Sequence, residues 1–164
     1  MHEVAEHLAK HARKQRRKPQ DVDQYARSAF NRYYYATFLI ARGLVKLRDP
    51  NWRGSHSGLP EELKGKLSRQ VKSIRDKANR LQDYGLVHDC EVCIHNMNNL
   101  SALLSSAYSV RVTADYFPET VAEISRSGVI TLGSTSIDDA KHWPSKASQF
   151  TGRIESFWRL TSVI

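Results

Sequence analysis

The sequence predicts an all-α protein, an antiparallel bundle of about five helices, on three observations. Apolar residues recur at three- and four-residue intervals through the first two-thirds of the chain. Pro19, Pro50, Pro60 and Pro118 fall at the joints of those periodic stretches, where a fixed φ and a missing N–H begin or end helices. With 164 residues, 40% of them apolar, the chain can bury the core of one domain and is too short for two sizeable ones.

The elements follow in order. Val4, Leu8 and Ala12 mark a short first helix that ends in Arg13-Lys14-Gln15-Arg16-Arg17-Lys18 before Pro19. Residues 1–19 are read as a basic N-terminal helix and residues 20–160 as a single helical domain. Asp21 or Asp23 can cap the second helix. Val22, Ala26, Ala29, Tyr33, Ala36, Ile40, Leu44 and Leu47 give it a buried stripe, which Phe30, Tyr34, Thr37 and Ala41 widen. It should stop near Arg48-Asp49-Pro50, because proline disfavours helix in the residue before it.

A third helix opens at Pro60-Glu61-Glu62 and continues through Leu63, Leu67, Val71, Ile74, Ala78 and Leu81. A fourth follows Gly85, with Val92, Met97, Leu100, Leu104, Ala107 and Tyr108 as its core, and runs toward Arg111 and Pro118. Residues 125–135 are rich in Gly, Ser and Thr and read as loop or a short extended segment. The last helix begins at Ser136, and Pro144 kinks it or marks its true start.

The charge is uneven. Lys and Arg number 25 against 17 Asp and Glu, a net of +8, but residues 1–80 hold 19 basic and 8 acidic residues, and residues 81–164 hold 6 and 9. A first half at +11 points to a polyanionic partner. Two groups supply it: Arg13, Lys14, Arg16, Arg17 and Lys18 before Pro19, and Lys64, Lys66, Arg69, Lys72 and Arg75 on the outer face of the third helix. Phosphates of such a partner are the expected ligand of both.

Other chemistries are not indicated. No apolar run reaches the roughly 18 residues of a membrane-spanning helix, and Met1-His2-Glu3-Val4-Ala5-Glu6-His7 lacks the apolar core of a secretory signal. A cytoplasmic protein without membrane partners is expected. There is neither a Gly-x-x-x-x-Gly-Lys-Ser/Thr loop nor a Gly-x-Gly-x-x-Gly turn, so no cofactor is expected. His88, Cys90, Cys93 and His95 have ligand chemistry suited to zinc, yet on one helix the two histidines point away from the cysteine face. Two reduced cysteines packed as small apolar groups are expected, and no metal.

Three local patterns stand in a fixed order. Asn31-Arg32-Tyr33-Tyr34-Tyr35-Ala36-Thr37-Phe38 lies on the second helix, Ser55-His56-Ser57-Gly58 precedes the third, and Arg111-Val112-Thr113-Ala114-Asp115-Tyr116 closes the fourth. Together they resemble the HEPN superfamily, in particular its small stand-alone bacterial and archaeal members, over roughly residues 20–160. The resemblance implies a helical bundle, often a homodimer, that accompanies a nucleotidyltransferase-type antitoxin or another defence-system subunit. Active members are metal-independent endoribonucleases with an Arg-x(4–6)-His motif.

Such cleavage needs a proton acceptor near the 2′-hydroxyl, cations for the extra phosphate charge and an acid for the leaving oxygen. On this resemblance Arg111 stabilises the phosphate, Tyr116 or His56 moves protons, and Asp115 and Arg32 support the cleft. The chain departs from the family pattern at two places: Tyr116 stands where the nuclease motif has histidine, with no arginine preceding a histidine at the motif's spacing, and Leu39 stands where many relatives have histidine after the phenylalanine. Tyrosine, with a pKa near 10, is a weak base at neutral pH. The sequence therefore supports two readings, an RNA-binding endoribonuclease with an Arg-x4-Tyr site and a non-catalytic subunit that binds RNA, a nucleotide or a partner protein.

Overall fold

The computed structural model describes residues 1–161 and is a mostly all-α helical bundle carrying one small three-stranded sheet. The helices are α1 (His2–Lys14), α2 (Pro19–Arg48), α3 (Gly58–Glu62), α4 (Ser68–Arg80), α5 (Tyr84–Tyr116), α6 (Ile137–Lys141) and α7 (Trp143–Leu160). A π-helical turn, Leu63–Leu67, joins α3 to α4, so the predicted third helix is one rod with a wide turn inside it. The chain divides into two compact units. The first comprises Met1–Phe38 with Ser106–Ser145, and the second Leu39–Ser105 with the chain from Lys146 onward.

In the first unit α1 packs on α6 through small residues. Ala5, Ala9 and Ala12 are buried, while Val4 is 49% exposed. The expected stripe through Val4 and Leu8 is thus rotated by one residue, because alanines permit a closer approach. Phe30, Tyr33 and Tyr34 of α2 are fully buried, and Tyr34 meets Tyr108 of α5 at 5.8 Å between ring centroids.

The segment read as loop or short extended chain forms an antiparallel meander of β1 (Glu123–Ile124), β2 (Ile130–Leu132) and β3 (Thr135–Ser136), in that order. Its register pairs Ile124 with Ile130 and Leu132 with Thr135. Gly128 and Gly133 take positive φ, 87° and 57°, at the two reversals, a backbone region that glycine enters without steric penalty. Ile130 and Leu132 point inward and alternate with half-buried Thr131. Ser136 caps α6: its Oγ accepts from the Asp139 amide at 3.0 Å. His142 breaks the predicted last helix, and Pro144 sits in the first turn of α7, where its missing N–H costs nothing.

In the second unit Leu59, Leu63, Leu67 and Val71 pack with Cys90, Cys93, Met97, Leu100, Leu104, Ile154 and Trp158 as core residues. Three residues expected in the core are surface residues: Leu47, Val92 and Leu81 are 46%, 38% and 81% exposed. On α2 the buried position is Val45, two residues earlier than Leu47. Leu81 lies past the end of α4, whose last carbonyls are satisfied by a Schellman turn. Asp83 N–H donates to Ala78 at 2.9 Å and Gln82 N–H to Asn79 at 3.1 Å, with Gln82 at φ 59°.

Candidate functional site

The first and third motifs come together in the first unit. One face of α2 presents Asp23, Arg27 and Asn31 at four-residue spacing toward the C-terminal end of α5. Asn31 Nδ2 donates to Asp115 Oδ1 at 2.5 Å, and Arg111 Nη2 meets the other carboxylate oxygen at 2.7 Å. The Arg111 guanidinium also lies 5.3 Å over the Tyr116 ring. Its side chain is 16% exposed and that of Asp115 27%. Burial pulls the Arg111 pKa down, but Asp115 and Tyr116 outweigh it and hold the group above its ordinary value. It is a fixed cation.

Two polar atoms in this cluster, Asn31 Oδ1 and Arg111 Nε, are sealed from solvent with no hydrogen-bond partner among the described residues. Tyr34, which senses Tyr108 and Arg111, is pushed up by burial and keeps its proton. Tyr116, at 64% exposure, is the accessible hydroxyl of the cluster.

The other candidates fall elsewhere. Arg32, one residue past Asn31 and so turned away from Asp115, reaches toward Met1 Sδ at 3.9 Å. It does not join the Arg111 cluster. His56 belongs to the second unit, in the loop before α3. There Ser55 Oγ accepts from the Gly58 amide at 3.1 Å and contacts Ser57 Oγ at 3.1 Å. The Ser-His-Ser-Gly motif thereby builds the turn that starts the helix.

The basic run before Pro19 is split by the fold. Arg13 pairs with Asp138 at 2.6 Å and donates to the Gly128 carbonyl, while Arg16 donates to the carbonyls of Ser125 and Arg126 at 3.1 and 2.8 Å. These two arginines clamp the β1–β2 turn. Lys18 lies 3.8 Å from Asp21, and Lys14 and Arg17 are exposed without a carboxylate partner among the described residues.

The second basic group forms a continuous surface. Arg69, Lys72, Ser73, Asp76, Lys77 and Arg80 line a trough of about 310 Å³ along α4. Their spacing of i, i+3, i+4, i+7, i+8 and i+11 keeps them on one side over about 16 Å of helix axis. Arg75 pairs with Asp76 at 2.9 Å and Lys66 with Glu62 at 3.9 Å. Lys64, Arg69, Lys72, Lys77 and Arg80 are exposed and unpaired with carboxylates among the described residues.

Cys90 and Cys93 are buried free thiols, and burial pushes both pKa values up, that of Cys93 to about 12. Among the described residues no three His, Cys, Asp or Glu side chains converge as a metal site.

Arg27 is the residue that sequence reasoning missed. Asp23 carboxylate oxygens accept from its Nε at 2.8 and 2.9 Å, and its Nη atoms donate to the carbonyls of Thr113, Ala114, Phe117, Pro118 and Thr120. Asp23 also accepts from the Ala122 amide at 2.7 Å. These bonds satisfy the last carbonyls of α5 and fix the position of Arg111, Asp115 and Tyr116. The visible signal is the polar spacing Asp23, Arg27, Asn31, which runs beside the apolar stripe of α2. No protein-family model, curated protein or solved structure matches the chain.

Proposed function

We propose that the protein is an RNA-binding domain of the HEPN kind, acting in a toxin–antitoxin or defence system, and that it holds RNA along the outer face of α4. The observation that carries this reading is the row Arg69, Lys72, Lys77 and Arg80, exposed on one side of a helix without carboxylate partners of their own. Such a row neutralises backbone phosphates and reads no base. The resemblance supplies the rest of the setting, a homodimer beside a nucleotidyltransferase-type antitoxin or another defence subunit. Lys14, Arg17 and Lys64 extend the cationic surface. Arg13 and Arg16 hold the β1–β2 turn and are not part of that surface.

The Arg111 cluster favours the non-catalytic form of this reading. Arg111 is committed to Asp115, Tyr34 keeps its proton, and no histidine of the motif's kind stands beside the guanidinium among the described residues to take a 2′-hydroxyl proton. An Arg-x4-Tyr endoribonuclease remains the second reading, because Tyr116 is exposed beside a charged guanidinium.

One assay addresses both. Labelled single-stranded RNA is incubated with the protein in chelator, alongside Arg111→Ala, His56→Ala and a variant with Arg69, Lys72, Lys77 and Arg80 all changed to Ala. The proposal expects a shift of intact RNA by the first three proteins and at least tenfold weaker binding by the fourth. Cleavage that Arg111→Ala abolishes establishes the nuclease reading instead. Equal binding by all four removes the α4 face from the function.

A further inference from the structure

A second cleft of the first unit, of about 340 Å³, lies where α1 meets α2 and α6 and shares no residue with the Arg111 cluster. Two ion pairs form its walls, Arg13 to Asp138 at 2.6 Å and Lys141 to Glu6 at 3.0 Å. At its base is Tyr33, 1% exposed, with no hydrogen bond to its hydroxyl among the described residues. Tyr33 lines the cleft together with Glu6, Arg13 and Asp138. Its hydroxyl oxygen is not among the solvent-sealed polar atoms of the described residues, so it is open to a ligand from the cleft.

The free donors converge on one chemistry. Arg13 uses Nε on the Gly128 carbonyl and Nη2 on Asp138, so Nη1 is uncommitted. Lys10, on the rim, is exposed and has no carboxylate partner among the described residues. Three cations, Lys10, Arg13 and Lys141, stand against two carboxylates that are both already paired. The surplus charge is positive, and guanidinium and ammonium donors suit phosphate oxygens. The volume sits at the small end of ligand pockets, about 300–1,000 Å³, which fits a small molecule.

We propose that this cleft binds a phosphate group, free or carried by a small metabolite, through Lys10 Nζ and Arg13 Nη1 as charged donors and the Tyr33 hydroxyl as the neutral donor at its base. A phosphate held there joins α1 to α2, so its binding stabilises the docked position of α1. This is independent of the α4 surface and of any RNA bound to it.

Calorimetric titration with inorganic phosphate and with ribose 5-phosphate, at ionic strength held constant by chloride, tests it. The expected result is saturable binding of one ligand per chain, weakened at least tenfold by Lys10→Ala and by Tyr33→Phe. Binding should be unchanged in the variant with Arg69, Lys72, Lys77 and Arg80 changed to Ala. Tighter binding of ribose 5-phosphate assigns the site to a phosphorylated metabolite, and equal affinities assign it to free phosphate. Lys10 is a surface residue, so its variant reports on the site even if Tyr33→Phe lowers stability. No saturable binding of either ligand, or binding that Lys10→Ala and Tyr33→Phe both retain, overturns the proposal.

Discussion

Arg111 and Asp115 form a 2.7 Å ion pair four residues apart on α5, and both side chains are less than one-third exposed. Asn31 fixes the same carboxylate from α2. The pair therefore orders the end of α5 as much as it presents a cation. Asp115→Ala leaves a partly buried guanidinium and an amide without their acceptor, which should destabilise the protein by about 1–3 kcal/mol. Urea unfolding measures it, and Asp115→Asn, which keeps one acceptor oxygen, should fall between wild type and Asp115→Ala.

Arg27 should matter more. Its guanidinium donates to five backbone carbonyls around the end of α5 and pairs with Asp23. We expect Arg27→Ala to cost about 2–3 kcal/mol, because Asp23 and the part-buried carbonyls of Thr113, Ala114 and Thr120 lose their donor together. Arg27→Lys should rescue little, since an ammonium cannot reproduce the planar fork. Thermal melting of the two variants beside wild type gives the comparison.

At the α4–α5 turn the strain is local and removable. Gln82 holds φ 59° as the left-handed residue of the Schellman turn. Gln82→Gly should stabilise by about 0.5–1 kcal/mol, since glycine enters this region without a Cβ penalty. An unchanged or lowered unfolding midpoint would count against that assignment.

Alkaline pH should destabilise the fold from a definable point. Burial pushes the Tyr33 hydroxyl up from 10.0 to about 12. The folded state thus holds this proton more tightly than the unfolded chain does. Its contribution is complete below pH 10 and is lost as pH rises toward 12. Tyr33→Phe removes that dependence, so the stability difference between wild type and variant should shrink between pH 9 and pH 11.5 in denaturant titrations.

The helices were legible because each long one carries a period that the fold uses, as at Val22, Ala26, Ala29 and Tyr33 of α2. From α2 it is Asn31 that meets Asp115, not the expected Arg32, which is one residue further round the helix. What could not be read is tertiary. Nothing local says that Arg13 and Arg16 would clamp the β1–β2 turn, because their acceptors lie more than a hundred residues away. The meander itself was ambiguous for the same reason: its strands are two or three residues long, too short for an alternating pattern. For Arg27 only the four-residue spacing to Asp23 shows in the sequence, because its other acceptors are backbone carbonyls.

The most direct test of the central claim, that the α4 face holds RNA, is the salt dependence of single-stranded RNA binding. It compares wild type with the variant in which Arg69, Lys72, Lys77 and Arg80 are all Ala. Each phosphate neutralised on a single strand contributes about 0.7 to the slope of log affinity against log salt. If the four cations each engage a phosphate, the variant's slope should be shallower by about 3. Identical slopes for the two proteins would contradict the account.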